Sequence, residues 1–253
     1  VKMTGGKFTS CECEFNLTEL QVLNGTYAAP EPVEPEYVEI GGLKWATKNL
    51  GAEKVTDSGD YFAWGETAPY YEGTGGRPAT PTWKSGKESG YAWESYCGSS
   101  DFSEWSTPPY DATTKILKPE FDAAAQILGN GWRMPTSADF QALNDACGGT
   151  DLPKAGGSTS TTEKGVYWCT NYDGVAGLLF CDGTNKLFFP AAGAGDDTGL
   201  EYAGVGGSYW SSSLNADFSI KNAYYFDFNE FYKESDYLPS APRYCGYSVR
   251  PVK

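Results

Sequence analysis

Tyr209-Trp-Ser-Ser-Ser213 and Gly246-Tyr-Ser-Val-Arg-Pro-Val252 bracket the stretch whose reading decides the fold. Between them, Asn222-Ala-Tyr-Tyr-Phe-Asp-Phe-Asn229 alternates so that Ala223, Tyr225 or Phe226, and Phe228 face a core while Asp227 and Asn229 face out, as in a strand. Ser235-Asp-Tyr-Leu-Pro-Ser-Ala-Pro242 places prolines among small polar residues and reads as an exposed loop instead of a strand. Tyr232, Tyr237 and Tyr244 lie near that loop, and tyrosine supplies rigid contact area with a polar tip at low entropy cost.

Upstream, many short strands are broken by glycine and proline clusters with two helical stretches between them, an α+β layout. The first helix is expected through Pro119-Glu-Phe-Asp-Ala-Ala-Ala-Gln-Ile-Leu128, with proline and acidic residues in its opening turn and Gly129 at its end. The second begins at Thr136 or one residue later. Thr136 caps it, Asp139 answers three residues on, Phe140 and Leu143 supply the buried face, and Gly148-Gly149 end it. Residues 150–164 lack periodicity and read as a surface loop. Near the N-terminus, Cys11, Cys13 and Phe15 alternate with polar neighbours as a half-buried strand does, and a hairpin with a strand over 21–27 is expected. The proline-rich, acidic run APEPVEPE reads as a stiff linker. The division is therefore 1–36, a strand segment with its linker, and 37–253, a single domain.

Lysine and arginine total 19 against 33 aspartates and glutamates, a formal charge of −14 over 253 residues. That balance repels nucleic acid and anionic membranes. The absence of histidine removes serine–histidine and cysteine–histidine chemistry and the commonest metal ligand. No run approaches the roughly 20 apolar residues of a membrane span, and the chain opens at Val1 without a positive, apolar leader, as a processed or trimmed product does. The 8 Trp, 18 Tyr, 13 Phe and 31 Gly suit tight turns and flat amphipathic contact surfaces. Seven cysteines leave at least one unpaired.

Four phrases occur in a fixed order: Gly42-Leu-Lys-Trp-Ala-Thr-Lys-Asn-Leu50, Tyr61-Phe-Ala-Trp-Gly-Glu66, Gly129-Asn-Gly-Trp-Arg-Met-Pro-Thr136, and Tyr209-Trp-Ser-Ser-Ser213 closing in Gly246-Tyr-Ser-Val-Arg-Pro-Val252. Over residues 37–253 this order resembles the C-type-lectin-like domains of gut Bacteroidales and their phages, related to the formylglycine-generating-enzyme fold and the major paralogous domain family. The resemblance implies a C-type-lectin-like fold with two helices and a small antiparallel sheet. The final phrases with a polar and aromatic tract between them, 214–245, look like the variable proteins of diversity-generating retroelements. There, reverse transcription scrambles adenines in Asn-type codons, a change that never produces Lys, Glu, Gln, Met or Trp. Residues 215–220 and 235–242 contain none of those types, and Lys221, Glu230, Lys233 and Glu234 would be fixed positions.

The resemblance implies a ligand-binding protein, not an enzyme, located outside the cell on a phage particle or bacterial surface, with a protein or glycan ligand on a cell surface. A fixed adhesin or glycan-binding module is the alternative. The expected contacts are Asn215, Ala216, Asp217, Phe218, Ser219 and Asn222 before and at the strand, and Asp227, Asn229 and Tyr232 at its far end. Ser235, Asp236, Tyr237, Leu238, Ser240, Tyr244 and Cys245 complete them. Formylglycine-generating enzymes act through a C-terminal cysteine pair, whereas only Cys245 lies in the matching region and reads as a displayed side chain. No cofactor is expected, because the sugar-calcium signatures of the lectins are missing. A structural calcium at Asp196-Asp197 or Asp182-Gly-Thr-Asn185 is left open. Trp132 and Trp210 are expected to pack in the core, and Arg133, Arg243 and Arg250 to brace loops.

Overall fold

A computed structural model describes residues 34–69, 108–149, 153–196, 199–217, 221–230 and 238–253. The strand pair expected over residues 10–27 and the linker up to residue 33 lie outside the described residues, and the compact unit is Glu34–Lys253. It opens on an antiparallel hairpin of β1 (Tyr37–Ile40) and β2 (Leu43–Ala46). The two-residue turn between them places Gly41 and Gly42 at φ +65° and +84°, the left-handed pair that such a tight turn requires. The C-terminal residues close on this hairpin: Lys44 and Lys253 exchange backbone hydrogen bonds of 2.8 Å, and Ala46 N–H donates to Pro251 O at 2.9 Å.

After β3 (Tyr61–Phe62), the helix expected over 119–128 divides into a 3₁₀ turn, Pro119–Phe121, and α1 (Ala123–Leu128). The break falls at Asp122, whose backbone is extended. Its carboxylate accepts from Ala125 N–H at 3.0 Å and from Met134 N–H at 2.9 Å. A carboxylate that can satisfy two backbone donors at once favours the capping conformation over a continued helix. α2 (Ser137–Ala146) carries the expected capping box: Asp139 N–H donates to Thr136 Oγ1 at 3.1 Å while Thr136 N–H donates to Asp139 Oδ2 at 2.7 Å. Phe140 and Leu143 are buried on its inner face, as the spacing predicts.

The remaining strands are β4 (Lys154–Ala155), β5 (Gly165–Tyr172), β6 (Val175–Cys181), β7 (Lys186–Pro190), β8 (Ala194–Gly195), β9 (Leu200–Glu201), β10 (Gly206–Leu214), β11 (Asn222–Asn229), β12 (Ser240–Pro242) and β13 (Tyr247–Ser248). One small sheet was the expectation; the described residues form a five-stranded sheet ordered β12-β11-β10-β13-β3, a four-stranded sheet ordered β4-β5-β6-β7, and the pairs β1-β2 and β8-β9. Among the described residues the fold is α+β with two short α-helices and several small sheets.

Two loop expectations are corrected. Residues 154–155, read as surface loop, pair in parallel with β5, and 240–242 form an edge strand whose register sets Ser240 opposite Tyr224 and Pro242 opposite Asn222. The outer edge of β11 needs backbone partners. An edge strand tolerates proline because its missing donor leaves no ladder bond unmade in the interior.

The five-stranded sheet is buried on both faces. On one side Tyr209, Phe226 and Phe228 pack with Trp45, Phe140, Phe180 and Phe189, and the Phe140 and Phe226 rings stack at 5.0 Å. On the other, Trp210, Ala223, Cys245, Tyr247 and Val249 pack with Phe62, Trp64 and Met134. Burying a large aromatic or aliphatic side chain stabilises by roughly 1.5–3 kcal/mol, so successive residues Tyr209 and Trp210 anchor the same strand from opposite faces.

The arginines brace the frame. Arg133 pairs with Asp139 at 2.6 Å. Arg250, fully buried, donates to Asn49 Oδ1 (2.9 Å), Thr47 O (3.0 Å) and Ala46 O (3.2 Å) while its guanidinium lies over the Phe189 ring. Burial brings that guanidinium down to about 10, which still leaves it charged at neutral pH. Arg243 is buried against the Trp64 ring.

Candidate functional site

Residues of the expected tract part into four groups. Phe218, Ser219, Tyr232, Ser235, Asp236 and Tyr237 lie outside the described residues. Asn215, Asp217, Asn222 and Ser240 gather at the start of β11, where Asn215 N–H donates to Asn222 O at 3.0 Å and β12 lies alongside. Asp217 is exposed, and the other three are half-buried. Asp227 and Asn229 sit at the opposite end of β11. Strand rise is about 3.3 Å per residue, so roughly 23 Å separates Asn222 from Asn229. A small ligand therefore engages one end or the other.

Four residues of the tract turn inward. Leu238 packs on the first core cluster, and Ala216 and Tyr244 pack on the second, all half-buried. Cys245 is 5% exposed inside the second cluster, which corrects its reading as a displayed side chain. The cause is register: Cys245 immediately precedes the Gly246 backbone pair with Gly195 and enters β13 among Trp210, Tyr225 and Tyr247.

The end of β11 that holds Asp227 and Asn229 opens into a cleft of about 240 Å³. Alternation sends Tyr225, Asp227 and Asn229 to the same side of the strand. The β10 register sets Ser208 opposite Asp227 and Gly206 opposite Asn229. Ser208 Oγ donates to Asp227 Oδ1 at 2.9 Å. The opposite wall comes from Asp196, just after β8, and from Glu201 of β9 with Tyr202 just after it, and Tyr247 of β13 lies at the side. Gly193, at φ +78°, lets this wall approach, because a Cβ there would run into the Glu201 carbonyl. Gly193 N–H donates to Gly206 O at 2.8 Å and Gly195 N–H to Gly246 O at 2.8 Å, so the walls are tied by backbone.

Burial holds the Asp227 carboxyl above the ordinary carboxylate range, and the Ser208 hydrogen bond offsets only part of that. Burial likewise raises the phenols of Tyr225 and Tyr247, which bond to one another, so both rings stay neutral donors. Tyr202 stands 59% exposed at the cleft mouth with φ +58°, and its carbonyl accepts from Val205 and Gly206 N–H at 3.0 and 2.9 Å. Asp227 and Asn229, expected to face out while Ala223 faces the core, are half-buried on the same face as Ala223 and Tyr225, and Glu201, Tyr202, Ser208 and Tyr247 are not legible as site residues in the sequence. Ser208 meets Asp227 through β10–β11 pairing, whereas Glu201, Tyr202 and Tyr247 reach the cleft from the β9 and β13 sides, and the glycine-rich run 193–207 is the only local signal near Glu201, Tyr202 and Ser208.

A second cleft of about 330 Å³ runs beside α1 and is walled by Ile116, Pro119, Ala125 and Trp132. The charged groups at its edge, Asp122 and Arg133, are committed to the backbone and to Asp139. The calcium candidates are local turns. Asp182 Oδ1 accepts from Thr184 and Asn185 N–H, both at 2.7 Å, and Asp196 Oδ1 accepts from Gly199 N–H at 3.2 Å, while Asp197 lies outside the described residues. No set of three or more acidic or cysteine side chains gathers as a metal-ligand group among the described residues. No described helix is long and apolar enough to cross a membrane. The chain matches no protein-family model, no curated protein and no solved structure.

Proposed function

We propose that the protein is a ligand-binding module on a C-type-lectin-like scaffold, a variable protein of the diversity-generating-retroelement type that presents its 214–245 tract outside the cell and binds without chemistry. The observation that carries this reading is the partition of burial along the C-terminal stretch. Tyr209, Trp210, Ser211, Ser212, Val249 and Arg250, from the bracketing phrases, are 0–1% exposed. Between them, Asn215, Asp217, Asn222, Asp227, Asn229 and Ser240 reach solvent. A frame that buries its bracketing phrases and leaves those six side chains in reach of solvent can change them at little cost to its core. The two α-helices and the small, mainly antiparallel sheets among the described residues support the lectin-like reading of the scaffold.

The binding class is favoured over a formylglycine-generating activity by Cys245, a buried lone cysteine of the region where that chemistry needs an accessible pair. The decisive experiment is to sequence the encoding locus from several isolates across the codons for residues 210–250 and to search the adjacent DNA for a near-copy template and a reverse transcriptase. Substitutions confined to template adenines at Asn215, Asp217, Asn222, Asp227, Asn229 and Ser240 are expected. An invariant tract with no template would remove the variable-protein reading and leave a fixed adhesin.

A further inference from the structure

The cleft at the end of β11 has a one-sided chemistry. Asp196, Glu201 and Asp227 bring carboxylates to it, Tyr202, Tyr225 and Tyr247 bring aromatic rings, and among the described residues no lysine or arginine lines it. Aromatic faces carry negative electrostatic potential, so rings and carboxylates here favour the same sign of ligand. With a net charge of −14 over the whole chain, anions are disfavoured before they arrive. The carboxylates do not gather as a metal-ligand group. The cation they suit is an extended organic one, whose several N–H donors reach separated acceptors.

We propose that this cleft receives a ligand's cationic group, a primary ammonium or a guanidinium, held between the Tyr202 ring at the mouth and the Tyr225–Tyr247 pair inside, with Asp227 as the inner acceptor. The proposal rests on the reading of this face as a binding surface and names the chemical class it takes. A volume of about 240 Å³ accommodates one side-chain end or one sugar ring, not a folded segment. Tyr225 and Tyr247 lie 4.8 Å apart, centre to centre, and form one wall. Asp227 retains acceptor capacity beyond its bond from Ser208, since an ionised carboxylate offers about four lone-pair sites.

Asp227 also predicts a pH dependence. Its buried charge is costly in the empty cleft, and a bound cation relieves that cost, so binding favours the ionised form. Among the described residues, Asp196 from the β8 side, Glu201 and Tyr202 from the β9 side, Tyr225 from β11, and Tyr247 and Cys245 from the β13 side are the other titratable groups around it. Burial keeps the Tyr225 and Tyr247 phenols neutral. Affinity for a cation therefore rises with pH as Asp227 ionises.

The test titrates the ¹⁵N-labelled full chain with Nα-acetyl-lysine-N-methylamide and with protonated glucosamine, each beside a neutral counterpart, Nα-acetyl-norleucine-N-methylamide and N-acetylglucosamine. Amide shifts at Gly206, Gly207, Ser208 and Asn229 are expected from the cations and not from the neutral compounds. The tighter cation names the source, a basic polypeptide side chain or an amino sugar. Asp227→Asn is expected to weaken binding at least tenfold, and Glu201→Gln, at a largely exposed position, less so. Equal shifts from neutral and cationic probes would overturn the charge assignment while leaving the binding face in place. Cleft amides unmoved by every probe, in a chain whose tract does vary between isolates, would overturn the cleft as the site and leave the other end of β11 as the binding surface.

Discussion

Arg250→Met removes the charged fork that joins the C-terminal phrase to the β2 region and keeps an apolar stem of similar reach. Three acceptors lose their donor: Asn49 Oδ1, Ala46 O and Thr47 O. Each buried acceptor left unsatisfied costs about 1–3 kcal/mol. Taking the low end of that range, because removing a buried guanidinium recovers some desolvation, gives a loss of about 3 kcal/mol. For a domain of this size, each kcal/mol moves the melting midpoint by about 2–4 °C, so a fall of about 6–12 °C follows.

Urea unfolding followed by tryptophan fluorescence measures the loss, with the denaturant slope unchanged if the compactness of both states is preserved. Asn49 also donates to Ser58 O at 2.8 Å and to the Tyr209 hydroxyl at 3.2 Å, and that hydroxyl donates to Pro190 O at 2.6 Å. A double-mutant cycle with Asn49→Ala should therefore show coupling of about 0.5–3 kcal/mol. Lys253→Met, which breaks only the exposed pair with Glu34, should leave the midpoint where it is. A loss under about 1 kcal/mol for Arg250→Met, or strict additivity with Asn49→Ala, would refute the network as the brace of the frame.

Asp227→Asn should hold or raise stability at neutral pH. The folded carboxyl is raised above its unfolded value, so the unfolded state gives up its proton first and stability falls as pH climbs between the two values; melting curves across the acid range should show that fall in the parent and not in the variant. Thr136→Ala removes the side-chain half of the α2 capping box and should cost about 1 kcal/mol by urea titration. Gly193→Ala strains a left-handed backbone position and pushes a methyl group at the Glu201 carbonyl, so a loss of about 1–3 kcal/mol is expected, together with shifted amides at Gly206 and Gly207. Burial lifts the thiols of Cys147, to about 12, and Cys169, to about 11, so peptide mapping after alkylation of the native chain at mildly alkaline pH should find both unmodified.

Local chemistry in the sequence determined what depends on neighbours a few residues apart. Thr136 and Asp139 are spaced for a reciprocal cap and form one, and Phe140 and Leu143 follow on the inner face because helix geometry leaves them no other side. The strand over 222–229, with Phe226 and Phe228 on one face and Asp227 and Asn229 on the other, follows from a period of two. Pairing over long separations was beyond that reading. Asp122 divides a helix of good propensity because Met134, twelve residues on, offers its N–H to the same carboxylate. Ser240 and Pro242 join a sheet because the edge of β11 is open to them, and Cys245 turns inward because Gly246 pairs with Gly195. The cleft itself has walls from 193–196, 201–208, 225–229 and 247, brought together only when β8 docks against β10 and β13. Side-chain periodicity is a property of one strand, whereas a concave site is a property of how several strands are ordered, and that order is decided by burial on both faces of the sheet.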